Sequence, residues 1–78
     1  MNKINIICLR CGKVQPRTDV IEDINNDKYI TLQKKFSCPN CRIKTNQIAT
    51  KNIQELRKEL ENNPNNSLDG YVLKLIKR

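Results

Sequence analysis

The chain has 78 residues, 37 % of them hydrophobic, with no Trp and a single Phe, which confines it to one small domain with a thin core. A core of this size rarely supplies more than about 3–5 kcal/mol by itself, so some staple is expected. Fifteen Lys and Arg against eight Asp and Glu give a formal charge of +7, and His is absent, which excludes histidine-based acid–base chemistry and favours an acidic partner.

In chain order, Ile4, Ile6 and Ile7 predict a short strand leading into Cys8. The run Cys8-Leu9-Arg10-Cys11-Gly12-Lys13 then turns back, with Gly12 free to take positive φ, and Val14-Gln15-Pro16 reads as the return strand. From Arg17 to Asp27 the composition shifts to Asp19, Glu22, Asp23, Asp27 and the pair Asn25-Asn26, predicting an exposed loop or hairpin tip. Tyr29 to Phe36 places Ile30, Leu32 and Phe36 at period-two spacing and predicts the longest strand, delivering Cys38. After Phe36-Ser37-Cys38-Pro39-Asn40-Cys41, the segment Ile43-Lys44-Thr45 is expected to pair back beside it.

Both cysteine pairs have two intervening residues, so both sulfurs of each pair can reach one ion from a tight turn. Together, Cys8, Cys11, Cys38 and Cys41 offer four thiolates at about 2.3 Å in a tetrahedron, the ligand set of one structural Zn2+. The first seven residues hold no apolar run of a secretory h-region, and no stretch approaches the ~20 apolar residues of a membrane span. The expectation is a cytoplasmic chain, where reduced cysteines read as a metal site rather than a disulfide scaffold. Structural zinc contributes an apparent ~10–16 kcal/mol to folding, so the metal-free chain is expected to be largely unfolded. Four thiolates around one divalent ion carry a charge of −2, which lowers the formal +7 to +5 in the loaded protein.

The second half changes character at about Ala49. Asn52 reads as a helix cap with Glu55 three residues on, and Ile53, Leu56 and Leu60 share one face, predicting an amphipathic helix over 52–62. Residues 62–66 form a polar linker. Beyond it, Leu68, Val72, Leu75 and Ile76 make a helical stripe after a capping Ser67, with Lys77 and Arg78 suiting a helix C-terminus. A strand presenting Tyr71, Leu73 and Leu75 after an Asp69-Gly70 turn is the alternative; helix is preferred.

Twenty-six residues separate Cys11 from Cys38, room for two strands and a tip. On the two knuckles quoted above, residues 4 to 48 resemble the zinc-ribbon superfamily. The fold class implied is a small metal-stabilised α+β protein. Three to four short antiparallel strands form the ribbon over 1–48, and 49–78 form a helical extension packed on it as part of a single domain. Arg42 stands where many such knuckles carry glycine, so left-handed geometry there would cost on the order of 1 kcal/mol. A treble clef, in which Cys41 opens a helical turn, is the alternative. Within the superfamily, the basic ribbon running into Cys38-Pro39-Asn40-Cys41-Arg42 is similar to the Com translational regulators of Mu-like phages, which implies RNA binding. The amphipathic helix following two such pairs resembles the zinc domains of MqsA-like antitoxins, which implies contact with a toxin through Ile53, Leu56 and Leu60.

Charge is blocked along the chain. Residues 1 to 18 carry Lys3, Arg10, Lys13 and Arg17 and no acid; 19 to 27 carry four acids and no base; 28 to 51 carry six bases and no acid. Both basic blocks flank the cysteine pairs, where they either offset the metal cluster's charge or contact phosphates. The functional expectation is a zinc-binding accessory protein that binds nucleic acid in transcriptional or translational regulation, through Lys13, Arg17, Lys34, Lys35, Arg42 and Lys44. The alternative is an interaction module or inhibitor docking through Ile53, Leu56 and Leu60 on a polymerase, nuclease or toxin. With few aromatics, base stacking is poorly supported, and backbone contacts are expected to dominate. Four cysteine ligands leave a metal no open position, so no enzyme is expected, and neither a membrane nor a small-molecule substrate.

Overall fold

The computed structural model describes residues 4–20, 24, 27–62 and 66–76. In chain order the elements are β1 (Ile4–Cys8), β2 (Val14–Arg17), β3 (Ile30–Thr31), β4 (Phe36–Cys38), β5 (Ile43–Thr45), β6 (Gln47–Thr50), α1 (Ile53–Asn62) and α2 (Ser67–Ile76). They make a small α+β fold in which every strand pair is antiparallel. One sheet has the order β2-β1-β6-β3, and β4 and β5 form a separate two-stranded ribbon.

The adjacent residues Ile6 and Ile7 show how the main sheet is filled. Successive side chains of a strand point to opposite faces, and both faces are covered. Ile7 pairs with Ile48, and both join Leu56, Leu60, Val72 and Ile76 in a cluster under the two helices. Ile6 pairs with Ala49, and both meet Ile24 and Leu32 on the other side. Burying such an aliphatic side chain contributes about 1.5–3 kcal/mol, so the two clusters are small but sufficient to orient the sheet.

Asn52 caps α1: its Oδ1 accepts the N–H of Gln54 at 2.9 Å and of Glu55 at 3.2 Å. Leu56 and Leu60 are buried one turn apart and Ile53 is half-buried, as the predicted stripe requires. The C-terminal segment is a helix, not a strand, and its cap is Asn66 rather than the expected Ser67. Asn66 Oδ1 accepts the Asp69 N–H at 2.9 Å, which places Ser67 inside the first turn. Arg57 Nη2 donates to the Ile76 carbonyl at 2.8 Å and ties the two helices together.

Three features differ from the sequence reading. The strand expected over 29–36 is two strands, β3 and β4, in different sheets, because Leu32 turns into the core while its N–H reaches the Gln47 carbonyl at 3.0 Å. Strand β6 adds to the expected elements, and Ala49, the expected start of the helical half, lies inside it. The acidic segment after Arg17 is not uniformly exposed, since Ile24 packs in the second cluster. The expectations for Glu22, Asp23, Asn25, Asn26, the linker at 63–65, Lys77 and Arg78 lie outside the described residues. Among the described residues, no helix is long and apolar enough to cross a membrane.

Candidate metal centre and basic ribbon

Strands β1 and β2 form one hairpin, β4 and β5 the other, and each carries a cysteine pair at its turn. The two turns are built alike. Gly12 donates its N–H to the Cys8 carbonyl and Arg42 to the Cys38 carbonyl, both at 2.8 Å. Both residues have positive φ, 81° at Gly12 and 61° at Arg42. Arg42 therefore adopts the left-handed geometry that its place after Cys41 raised as a possibility, and strand β5 rather than a helix follows Cys41.

The turns bring all four sulfurs within 4.8 Å of one another. Ligands held at about 2.3 Å in a tetrahedron lie ~3.8 Å apart, and the distances across the two hairpins are 3.9 Å from Cys8 to Cys41 and 3.5 Å from Cys11 to Cys38. Backbone N–H groups point at two of the sulfurs, Arg10 to Cys8 at 3.4 Å and Cys41 to Cys38 at 3.5 Å. Cys8 and Cys38 are buried, whereas Cys11 and Cys41 are half-buried. This donor set and spacing fit a four-thiolate metal site.

Electrostatics agree with that assignment. Burial pushes the Cys11 thiol up, but hydrogen bonds from Asn40, Lys13, Cys38 and Cys41 outweigh it and hold the group at about 6. Burial and the neighbouring Cys11, Cys38 and Cys8 push Cys41 to about 12. Thiols packed this closely resist ionising together, because each new thiolate faces the last; a divalent cation removes that conflict.

The expected nucleic-acid residues fall into three groups. Arg42, in the turn just before β5, and Lys44 on it stand exposed and line a shallow groove of about 570 Å³ with Gln15, Arg17 and Ser37. Lys44 also lines a neighbouring groove with Lys35 and Arg10, so the β5 ridge separates two depressions that both carry bases. Arg17 is already engaged: its guanidinium lies 5.1 Å from the Phe36 ring centroid and bonds the Asp19 carboxylate twice, Nε at 2.8 Å. The Arg17 hydrogen bonds hold Asp19 at about 2. Lys34 is exposed and adds to the field on Asp19, while Lys13 lies apart, beside Asn40, Ile53 and Arg57. Arg10, part of the first basic block but not among the expected contact residues, belongs with the ridge residues. Its place inside the first cysteine pair was the available signal.

Of the residues expected to contact a partner, Ile53, Leu56 and Leu60, two are buried in the fold. Leu56 and Leu60 are packed against Ile7, Ile48, Val72 and Ile76, and only Ile53 retains part of its surface. Comparison with protein-family models, with curated proteins and with solved structures returned no match.

Proposed function

We propose that this chain is a zinc-ribbon protein that binds nucleic acid through the outward face of its β4–β5 ribbon, in the control of transcription or translation. The carrying observation is the division of that ribbon into two faces. Phe36 pairs with Thr45 and Cys38 with Ile43; on this face Cys38 and Thr45 are buried and Phe36 is half-buried, while Ile43, at the turn end, stays exposed. Ser37 pairs with Lys44 on the opposite face, where both are exposed.

Arg42 beyond one end and Lys35 beyond the other extend this face, and among the described residues no acid lines either adjoining groove. A two-stranded ribbon with one face uncovered and basic is suited to phosphate contact. Arg42 strengthens the reading, because a non-glycine residue held at positive φ costs stability and such strain concentrates at functional positions. The bound ion would hold the two hairpins in this arrangement through Cys8, Cys11, Cys38 and Cys41, and its chemistry there is structural, not catalytic.

Docking on a protein through α1 is less well supported, because Leu56 and Leu60 are spent on the core. The test is fluorescence anisotropy of zinc-loaded protein with labelled duplex and single-stranded nucleic acids at low salt. Binding is expected to weaken with salt, each phosphate contact contributing about 0.7–0.9 to the logarithmic slope, and to fall further in the double variant R42A/K44A. No binding at low salt, or binding unchanged in the double variant, contradicts the reading.

A further inference from the structure

The polar side chains Thr45 and Gln47 lie where the chain passes from the β4–β5 ribbon into the central strand β6, and both are buried. Thr45 comes inward because it pairs with Phe36 on the sulfur-facing side of the ribbon. Gln47 comes inward because it pairs with Cys8 in the β1–β6 ladder. The crossover is closed by the Leu9 N–H on the Asn46 carbonyl at 3.0 Å.

The two hydrogen bonds made by Gln47 in this crossover have a determined direction. Gln47 Nε2 donates to the Phe36 carbonyl at 3.1 Å, and a carbonyl only accepts, so this contact fixes which way the amide lies. The same nitrogen is 3.3 Å from Thr45 Oγ1, so the hydroxyl oxygen accepts there. Thr45 Oγ1 is also 3.0 Å from Cys8 Sγ. Either group could donate in this contact while Cys8 is a thiol, but a metal-bound thiolate only accepts, so in the loaded site the threonine, already accepting from Gln47, directs its own proton at the sulfur.

We infer that Thr45 is a positioning residue for the metal ligand Cys8, its hydroxyl donating to the Cys8 sulfur in an orientation set by Gln47. This rests on the four-cysteine metal reading. Cys8 thereby receives two donors, the Thr45 hydroxyl and the Arg10 N–H, while it is also the ligand most deeply seated in the main sheet. A donor of this kind favours the thiolate over the thiol and fixes the direction in which the sulfur presents itself. Because Gln47 belongs to β6, the alignment of Cys8 is linked to the strand between the two hydrophobic clusters.

The experiment is metal affinity and cobalt spectroscopy on the full chain. Zinc affinity is measured by competition with a chromophoric chelator, and the sulfur-to-cobalt charge-transfer band is recorded for wild type, T45V, T45A, T45S and Q47M. Loss of the hydroxyl in T45V and T45A is expected to weaken zinc about ten-fold or more and to shift the cobalt band, while T45S restores both. Q47M, which leaves the hydroxyl but frees its orientation, should fall between. Affinity within about two-fold of wild type and an unmoved band in T45V and T45A would overturn the inference. So would a T45S variant as weak as T45V. If T45V and T45A do not fold at saturating zinc, the Q47M and T45S spectra decide alone: Q47M must shift the band and T45S must not. Wild-type protein that takes up neither zinc nor cobalt would end the metal reading itself, a separate result.

Discussion

Gly12 and Arg42 occupy equivalent places in the two cysteine turns, each at positive φ and each donating its N–H to the carbonyl of the first cysteine of its pair. Their surroundings differ. A Cβ on Gly12 would meet the Leu75 carbonyl oxygen at 2.9 Å, whereas Arg42 is exposed. G12A is therefore expected to destabilise the zinc-loaded protein by about 1–3 kcal/mol, combining strained φ with the push against α2. R42G is expected to leave stability unchanged or raise it by up to about 1 kcal/mol, since it removes the left-handed penalty. Denaturant unfolding of both variants checks the pair. If R42G also weakens nucleic-acid binding, the strain at residue 42 is retained for contact.

Gly70 poses the opposite case, because it lies inside α2 with open space where its Cβ would be. G70A should stabilise the protein by about 0.5–1 kcal/mol through helix propensity alone. A fall in thermal midpoint for G70A would contradict the open space beside residue 70.

Asp69 anchors α2 from below, accepting hydrogen bonds from Tyr29 Oη and from Lys28 Nζ, the latter at 3.1 Å. Tyr29 holds its proton well above the ordinary tyrosine range, first because it is buried and then because it donates to the Asp69 carboxylate and feels its charge. The folded state thus binds this proton more tightly than the unfolded chain does. Its contribution is fully present below the ordinary tyrosine value of about 10 and is lost as pH rises through that value toward the raised one. In a Y71F background, phenolate absorbance from Tyr29 should appear only together with alkaline unfolding. Ionisation near the ordinary value with the fold intact would contradict this anchor.

Leu60 is fully buried among residues of both helices and the sheet. L60A should cost about 2–5 kcal/mol, read as a large loss of denaturant midpoint in the zinc-loaded protein. A change under about 1 kcal/mol would return Leu60 to the candidate docking residues.

These residues also mark what was legible in the sequence. The cysteine pairs, the Asn52 cap and the Ile53, Leu56, Leu60 stripe were readable because each is a local pattern with a fixed spacing. Strand β6 was not, because Gln47, Ile48, Ala49 and Thr50 are all buried and a strand covered on both faces loses the alternation that betrays it. The division of 29–36 into two strands was hidden for a related reason. Ile30, Leu32 and Phe36 have strand spacing, yet the break is imposed by Leu32 packing against Ile6, Ile24 and Ala49, contacts distant in sequence. Asn66 and Ser67 are both good caps, and their order could not be separated by residue type. Thr45 and Gln47 carry no motif, and only the sheet register brings them to Cys8.

In the proposed protein a metal held by Cys8, Cys11, Cys38 and Cys41 holds the two hairpins together and so presents the basic ribbon. Native mass spectrometry of the purified chain, followed by far-UV circular dichroism during chelation, tests it most directly. One zinc per chain, with secondary structure lost as the ion is removed and regained on its return, is the predicted result. Metal-free protein that keeps the same fold would contradict it.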